Sequence, residues 1–240
     1  MIASIILLII GAIMSCIFIV SKVINYSWKT IILKGIASVF FVVLAIVCFC
    51  ITGSGHFLFK LFAVLGLFFG LLGDIFLGFK YITTKTKKMW ILLGMFAFAF
   101  GHIFYIVALL MGFYVAGHPL FIVLPFTLPI AIIAIYMFVA KRVGIHFGKG
   151  MFLFGLFYLY CLTCMVSSSL SMVCLYQFKP VTLIMFFVGA LCFCTSDFML
   201  TGAYFKEGQR SKAYMATYSV FYYLAQFIIA FSIFYINVIV

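Results

Sequence analysis

Long apolar runs separated by short polar interruptions carry the chain from residue 2 to residue 238. Each run holds at least 18 residues, enough for a helix to cross a hydrocarbon core of roughly 30 Å. Eight spans are predicted, at 2–20, 31–52, 57–79, 89–111, 120–140, 151–175, 181–204 and 213–238. No stretch shows the period-two alternation of a spanning strand, which argues against a β-barrel. The connections are too short to hold a soluble domain. The pattern therefore predicts an all-α, polytopic membrane bundle of eight transmembrane helices, a single integral membrane domain over residues 1–240.

Composition agrees, since 69% of the residues are hydrophobic and only 8% are charged. The charge is lopsided, with 15 Lys and Arg against three acids. Such an excess can signal a nucleic-acid partner, but its placement points to the lipid bilayer instead. Lys22, Lys29 and Lys34 surround the first connection, and Lys80, Lys85, Lys87 and Lys88 the third. Lys141, Arg142 and Lys149 mark the fifth, and Lys206, Arg210 and Lys212 the seventh, whereas the even connections hold only Lys60 and Lys179. By the positive-inside rule the odd loops are cytoplasmic and both termini face outward. No basic residue precedes the first span, so it reads as a retained helix rather than a cleaved signal peptide.

All eight cysteines fall inside predicted spans, where small apolar packing is their usual role. Cys161 and Cys164 have the spacing of half a metal site, but no second half accompanies them. No GxSxG elbow, Walker loop or HExxH motif occurs. His56, His118 and His146 lie in connections.

Chemistry must then come from polar residues within the spans. Asp74 stands in span 3 inside the apolar stretch GLLGDIFLGF, with Gly66, Gly70 and Gly78 on its own face. An acid there costs about 2.5 to 3.5 kcal/mol on insertion scales and is expected to face the bundle interior. Asp197 stands in span 7 with Ala190, Cys194 and Thr201 on its face. Spans 3 and 7 run in the same direction, so both acids belong at one depth, about 8 to 11 Å from the cytoplasmic end. Glu207, the third acid, lies among cations in the seventh loop and reads as solvated.

Each acid is followed by a basic loop and a span with polar residues at matching separation, His102 after Asp74 and Gln226 after Asp197. This layout suggests two parallel four-helix repeats, 1–115 and 116–240. His102 and Tyr105 share one helix face, and Tyr218, Tyr222 and Gln226 share another. Tyr160, Cys164, Ser167 and Ser171 form a face of span 6 that would either line the same cavity or pack against a neighbour.

Four short motifs, LLGD at 71–74, FGHIFY at 100–105, SDFMLTG at 196–202 and YYLAQ at 222–226, occur in that order on an eight-span chain. In order and spacing the chain resembles the YhhN-like lysoplasmalogenase family. Members tend to carry Ser or Thr directly before the paired tyrosines, whereas Val220 and Phe221 stand there in this sequence.

The resemblance implies a membrane-embedded hydrolase that cleaves the vinyl-ether bond of a lysophospholipid substrate, releasing a fatty aldehyde and glycerophospho-ethanolamine or -choline. Vinyl ethers cleave through protonation at carbon, and water captures the resulting oxocarbenium ion. Two carboxyl groups meet the same needs in glycoside hydrolysis. Asp74 and Asp197 are the expected catalytic pair, with acid and base unassigned. His102, Tyr105, Tyr222, Tyr223 and Gln226 are expected to orient water or substrate, and Lys80, Lys206 or Arg210 to meet the phosphate. No cofactor is needed; a metal, were one used, would fall to Asp74, Asp197 and His102. Without the resemblance, two inward acids and helix-breaking prolines at 125 and 129 also describe a proton- or cation-coupled transporter. The sequence assigns no oligomeric state.

Overall fold

The computed structural model describes residues 2–83, 85–113, 115, 117–142, 151–205 and 211–237. Among these residues eight long helices follow one another: α1 (Ile2–Ile24), α2 (Trp28–Ile51), α3 (Phe57–Phe79), α4 (Lys87–Phe113), α5 (Leu120–Arg142), α6 (Phe152–Leu175), α7 (Val181–Phe205) and α8 (Lys212–Ser232). A short 3₁₀ turn, Ile233–Tyr235, completes the last span. All eight are long and apolar enough to cross a membrane, so the chain is an integral multi-pass membrane protein.

The boundaries differ from the sequence expectation mainly at the first connection. α1 runs on to Ile24 because Lys22 reaches Ser219 on α8 and stays within the bundle. α2 starts early, at Trp28, where the Ser27 amide donates to Thr30 Oγ1 at 3.2 Å.

Consecutive helices pack in pairs, α1 on α2, α3 on α4, α5 on α6 and α7 on α8. The pairs join through α2–α3, α4–α6, α6–α7 and the contacts of α8 with α1 and α2. Phe41, Phe59, Leu67, Leu109, Leu162 and Phe186 fill the centre. Ile2, Ile6, Ile9 and Ile13 of α1 stay exposed, as a lipid-facing surface requires.

α3 and α4 approach so closely that a Cβ on Gly101 would lie 3.0 Å from the Gly66 carbonyl oxygen. A Cβ at Gly66 would run into the Tyr105 ring, and one at Gly70 would meet Gln226 Nε2 at 2.7 Å. The glycine face beside Asp74 therefore admits polar side chains from α4 and α8 to the bundle centre.

Two expectations need correction. Pro125 and Pro129 do not break span 5; α5 continues through both. Pro129 has no N–H for the Pro125 carbonyl, and Ser167 of α6 supplies the missing donor, its Oγ lying 2.7 Å from that oxygen. Tyr160 likewise donates to the Phe126 carbonyl at 3.1 Å, so this face of α6 serves α5. Lys60 lies inside α3, fully buried, rather than in a connection. It donates to the Gly53 carbonyl and to Thr52 Oγ1, satisfying acceptors where α2 ends. The eight cysteines are free thiols.

Candidate functional site

One end of the bundle, where the odd connections emerge, holds a cavity walled by every helix except α5. It offers about 100 Å³ to the centres of water-sized molecules. One water needs roughly 10 to 15 Å³ on that measure, so the space takes several waters or a polar headgroup. Both membrane-embedded acids line it, Asp74 from α3 and Asp197 from α7.

The two acids are held differently. Asp74 is 1% exposed and takes three donors from two neighbouring helices. Lys34 Nζ of α2 lies 2.8 Å from Oδ1, while Ser38 of α2 and Tyr222 of α8 donate to Oδ2 at 2.5 and 2.7 Å. A chain of hydrogen bonds leads back from this carboxylate. Gln226 Nε2 donates to the Tyr222 oxygen at 3.0 Å, and Tyr105 donates to Gln226 Oε1, also at 3.0 Å. Gly66 and Gly70 of α3 make room for Tyr105 and Gln226 of that chain.

Asp197 is 5% exposed and accepts a hydrogen bond at Oδ2 from the Tyr158 hydroxyl of α6. Among the described residues no cation pairs with it. Ser196, its neighbour, donates to the Tyr218 carbonyl at 2.8 Å and thereby fixes α7 against α8 beside the cavity.

Of the expected site residues, Tyr222 and Tyr223 line the cavity with the two acids. Their rings stack edge to face 5.1 Å apart, and Tyr222 packs in the same way on Phe193 and Phe98. Tyr105 and Gln226 lie behind the lining and reach it through Tyr222. His102 is buried behind Tyr158, its ring centroid 5.5 Å from that phenol and 4.8 Å from Phe193. Neither His102 nitrogen has a hydrogen-bond partner among the described residues. His102, Asp74 and Asp197 do not gather into a metal-binding group, nor do any three such side chains among the described residues. Lys80 lines the cavity; Lys206 and Arg210 lie outside the described residues.

Sequence reasoning missed four participants: Lys22, Lys34, Ser38 and Tyr158. The two lysines were read as topology signals, and long lysine stems serve either purpose. Tyr158 sits two positions from Tyr160, on nearly the opposite face of α6, and only the rotation of that helix decides which phenol reaches Asp197.

Beyond the ends of the spans, buried polar groups crowd the cavity mouth. Burial pushes the Tyr81 phenol up to about 12. Burial, then Tyr81, Asp74 and Tyr218, pushes Tyr26 up as well. Lys80 is held well below the ordinary lysine value, first by burial and then by Lys34, Lys22 and Lys87.

Comparison with known proteins agrees with the motif order. The model of the YhhN family matches residues 29–233, which include both acids, Lys34, Tyr158 and the α8 tyrosines. No curated protein and no solved structure matches the chain.

Proposed function

We propose that this chain, which belongs to the YhhN family, the lysoplasmalogenase family, hydrolyses the vinyl-ether bond of lysoplasmalogens within the membrane. The products are a fatty aldehyde and glycerophospho-ethanolamine or -choline. The observation that carries the reading is the unequal treatment of two acids in one cavity. Asp74 takes an ammonium and two hydroxyl donors, which favours it as the carboxylate of the pair. Asp197 has only a phenol against it and is the group that carries a proton.

In this mechanism the Asp197 carboxyl gives its proton to the β-carbon of the vinyl ether, and the C–O carbon becomes an oxocarbenium ion. The Asp74 carboxylate stabilises that cation across the cavity. A water adds to the cationic carbon and passes its proton to the Asp197 carboxylate, which restores the acid. The hemiacetal then collapses: its hydroxyl proton goes to the glycerol oxygen as the C–O bond breaks, and the aldehyde leaves. Tyr158 orients Asp197, and Tyr105 and Gln226 act through Tyr222 as positioning residues. Tyr222 and Tyr223 touch substrate or water. His102, packed on Tyr158, supports that phenol from behind.

The same reading treats residues 1–115 and 116–240 as repeats. Each acid sits on the third helix of its half and takes a hydrogen bond from the second, Ser38 on α2 and Tyr158 on α6.

The test is aldehyde release by the detergent-purified chain, followed by mass spectrometry, from a lysoplasmenyl-ethanolamine and from its saturated ether analogue. Aldehyde from the vinyl ether alone is expected. Well-folded protein that releases none defeats the reading, and the two acids then become a proton or cation site to be assayed in sealed vesicles.

A further inference from the structure

α6 packs on both α4 and α7, and its Tyr158 is the phenol that donates to Asp197. That side chain borders two spaces at once. Tyr158 and Met95 of α4 line the cavity that holds the acids, and the same two residues line a second, shallow crevice whose other walls are Phe96, Phe154 and Phe157. The crevice therefore joins the acid site to the outer face of the bundle between α4 and α6. Phe96 and Phe154 are each 37% exposed there and Phe157 45%, a surface that meets lipid tails in a membrane. The crevice is shut in this structure. It has no room for the centre of a water molecule, and the Phe96 and Phe154 rings close it edge to face with centroids 5.3 Å apart.

Its depth suits a lipid lying in one leaflet. Met95 and Tyr158 stand about 12 and 9 Å from the starts of their helices, at 1.5 Å per residue from Lys87 and Phe152. That is just inside the hydrocarbon boundary, where the first chain carbons of a leaflet lipid lie. Vinyl-ether chemistry makes this position matter, because the β-carbon that takes the Asp197 proton is itself the second carbon of the alkenyl chain. The remaining carbons must leave the cavity from that atom. The cavity takes several waters or a polar headgroup, so a long chain has to continue outside it. α4 gives the cavity only apolar side chains, Ile91, Met95 and Phe98, and the crevice opens on that wall beside the partner of the acid. Lipid tails are as apolar as leucine, so a chain lying half in the crevice and half in the bilayer loses nothing by its exposure. Met95, unbranched and adaptable, can shift to let it pass.

We propose that the α4–α6 crevice is the chain site and lateral entrance of the cavity: the alkenyl chain of the lysolipid passes between Met95 and Tyr158, lies along Phe154 and Phe157, and enters as the Phe96 and Phe154 rings part. The aldehyde leaves into the bilayer by the same opening. The proposal rests on the hydrolase reading for the identity of the lipid and of the protonated carbon.

The turnover test compares a straight-chain lysoplasmenyl-ethanolamine with one carrying a tert-butyl branch at the fourth chain carbon, on the full chain in detergent. The wild type should favour the straight chain in kcat/KM. Phe96→Ala with Phe154→Ala widens the entrance and should reduce that preference about tenfold, the scale on which an apolar pocket discriminates. Both rings face lipid, so the variant should melt near the wild type and keep its rate on the straight chain. A wild type that cleaves both chains equally overturns the entrance, and so does an unchanged preference in the variant.

A labelling arm reads the site without turnover. A saturated alkyl lysophospho-ethanolamine with a diazirine in its chain, photolysed on the wild type, should label Met95, Phe96, Phe154 or Phe157 as located by peptide mass spectrometry. Excess unlabelled analogue should suppress that labelling. If no aldehyde forms from any substrate but the suppressible label falls there, the hydrolase reading fails and the crevice stands as a lysolipid chain site. Suppressible labelling confined to other helices, or none at all, overturns it.

Discussion

The Lys34 ammonium on α2 and the Asp74 carboxylate on α3 stand 2.8 Å apart in the interior of a membrane bundle, the only ion pair among the described residues. Neither charge is tolerable there alone. Lys34→Met leaves a buried carboxylate without its cation, and such a loss typically costs about 3 to 5 kcal/mol. The variant should melt at markedly lower temperature in detergent. Adding Asp74→Asn should recover much of the melting temperature and none of the hydrolysis, so a thermal-shift series with an aldehyde assay separates stability from chemistry.

Asp197 and Tyr158 form the second polar contact of the cavity. Asp197→Asn cannot donate the acidic proton, and aldehyde release should fall by roughly 10² to 10⁴, the usual worth of general acid catalysis. Tyr158→Phe keeps the acid and removes its orienting donor, so a smaller loss in kcat with little change in KM is expected. Equal rates for Asp197→Asn and the wild type, measured by mass spectrometry, would exclude the acid assignment.

Gln226 links Tyr105 to Tyr222 with two hydrogen bonds, each of 3.0 Å. Gln226→Leu strands the buried Tyr105 phenol and takes one donor from Tyr222, which keeps its bond to Asp74; at about 1 to 3 kcal/mol for an unsatisfied group the fold should weaken together with kcat. Tyr105→Phe breaks only the outer link. Because the three side chains act in series, Tyr105→Phe in the Gln226→Leu background should add almost nothing, and a double-mutant cycle reads that non-additivity directly.

Ser167 repairs the helix of α5 by donating to the Pro125 carbonyl that Pro129 leaves open. Ser167→Ala should lower stability by about 0.6 kcal/mol, the average for hydrogen bonds between membrane helices. Ser167 lies outside the cavity lining, so turnover should persist. Pro129→Ala restores the intrahelical donor, and Ser167→Ala should cost less in that background, as a thermal-denaturation comparison would reveal.

The helical bundle was written in the sequence because an apolar run in lipid has only one way to satisfy its own backbone. Each such run must form a helix whatever its neighbours do. Span 3 was legible to the residue, Phe57–Phe79, since Gly53, Gly55 and His56 precede it and Lys80 follows it. The inward placement of Asp74 and Asp197 followed from the cost of leaving an acid in hydrocarbon, and the glycine face beside Asp74 named the side on which partners must approach. Lys34, Ser38 and Tyr158 could not be chosen as those partners from sequence. Periodicity fixes which residues share a helix face, but not how far that face is rotated toward a neighbour. Rotation decided that Tyr158 meets Asp197 while Tyr160 turns to α5, and it drew Lys22 and Lys34 from a loop signal into the cavity wall. These choices depend on side chains from separate helices fitting together at once. Such fitting is a property of the packed bundle, and no single span contains it.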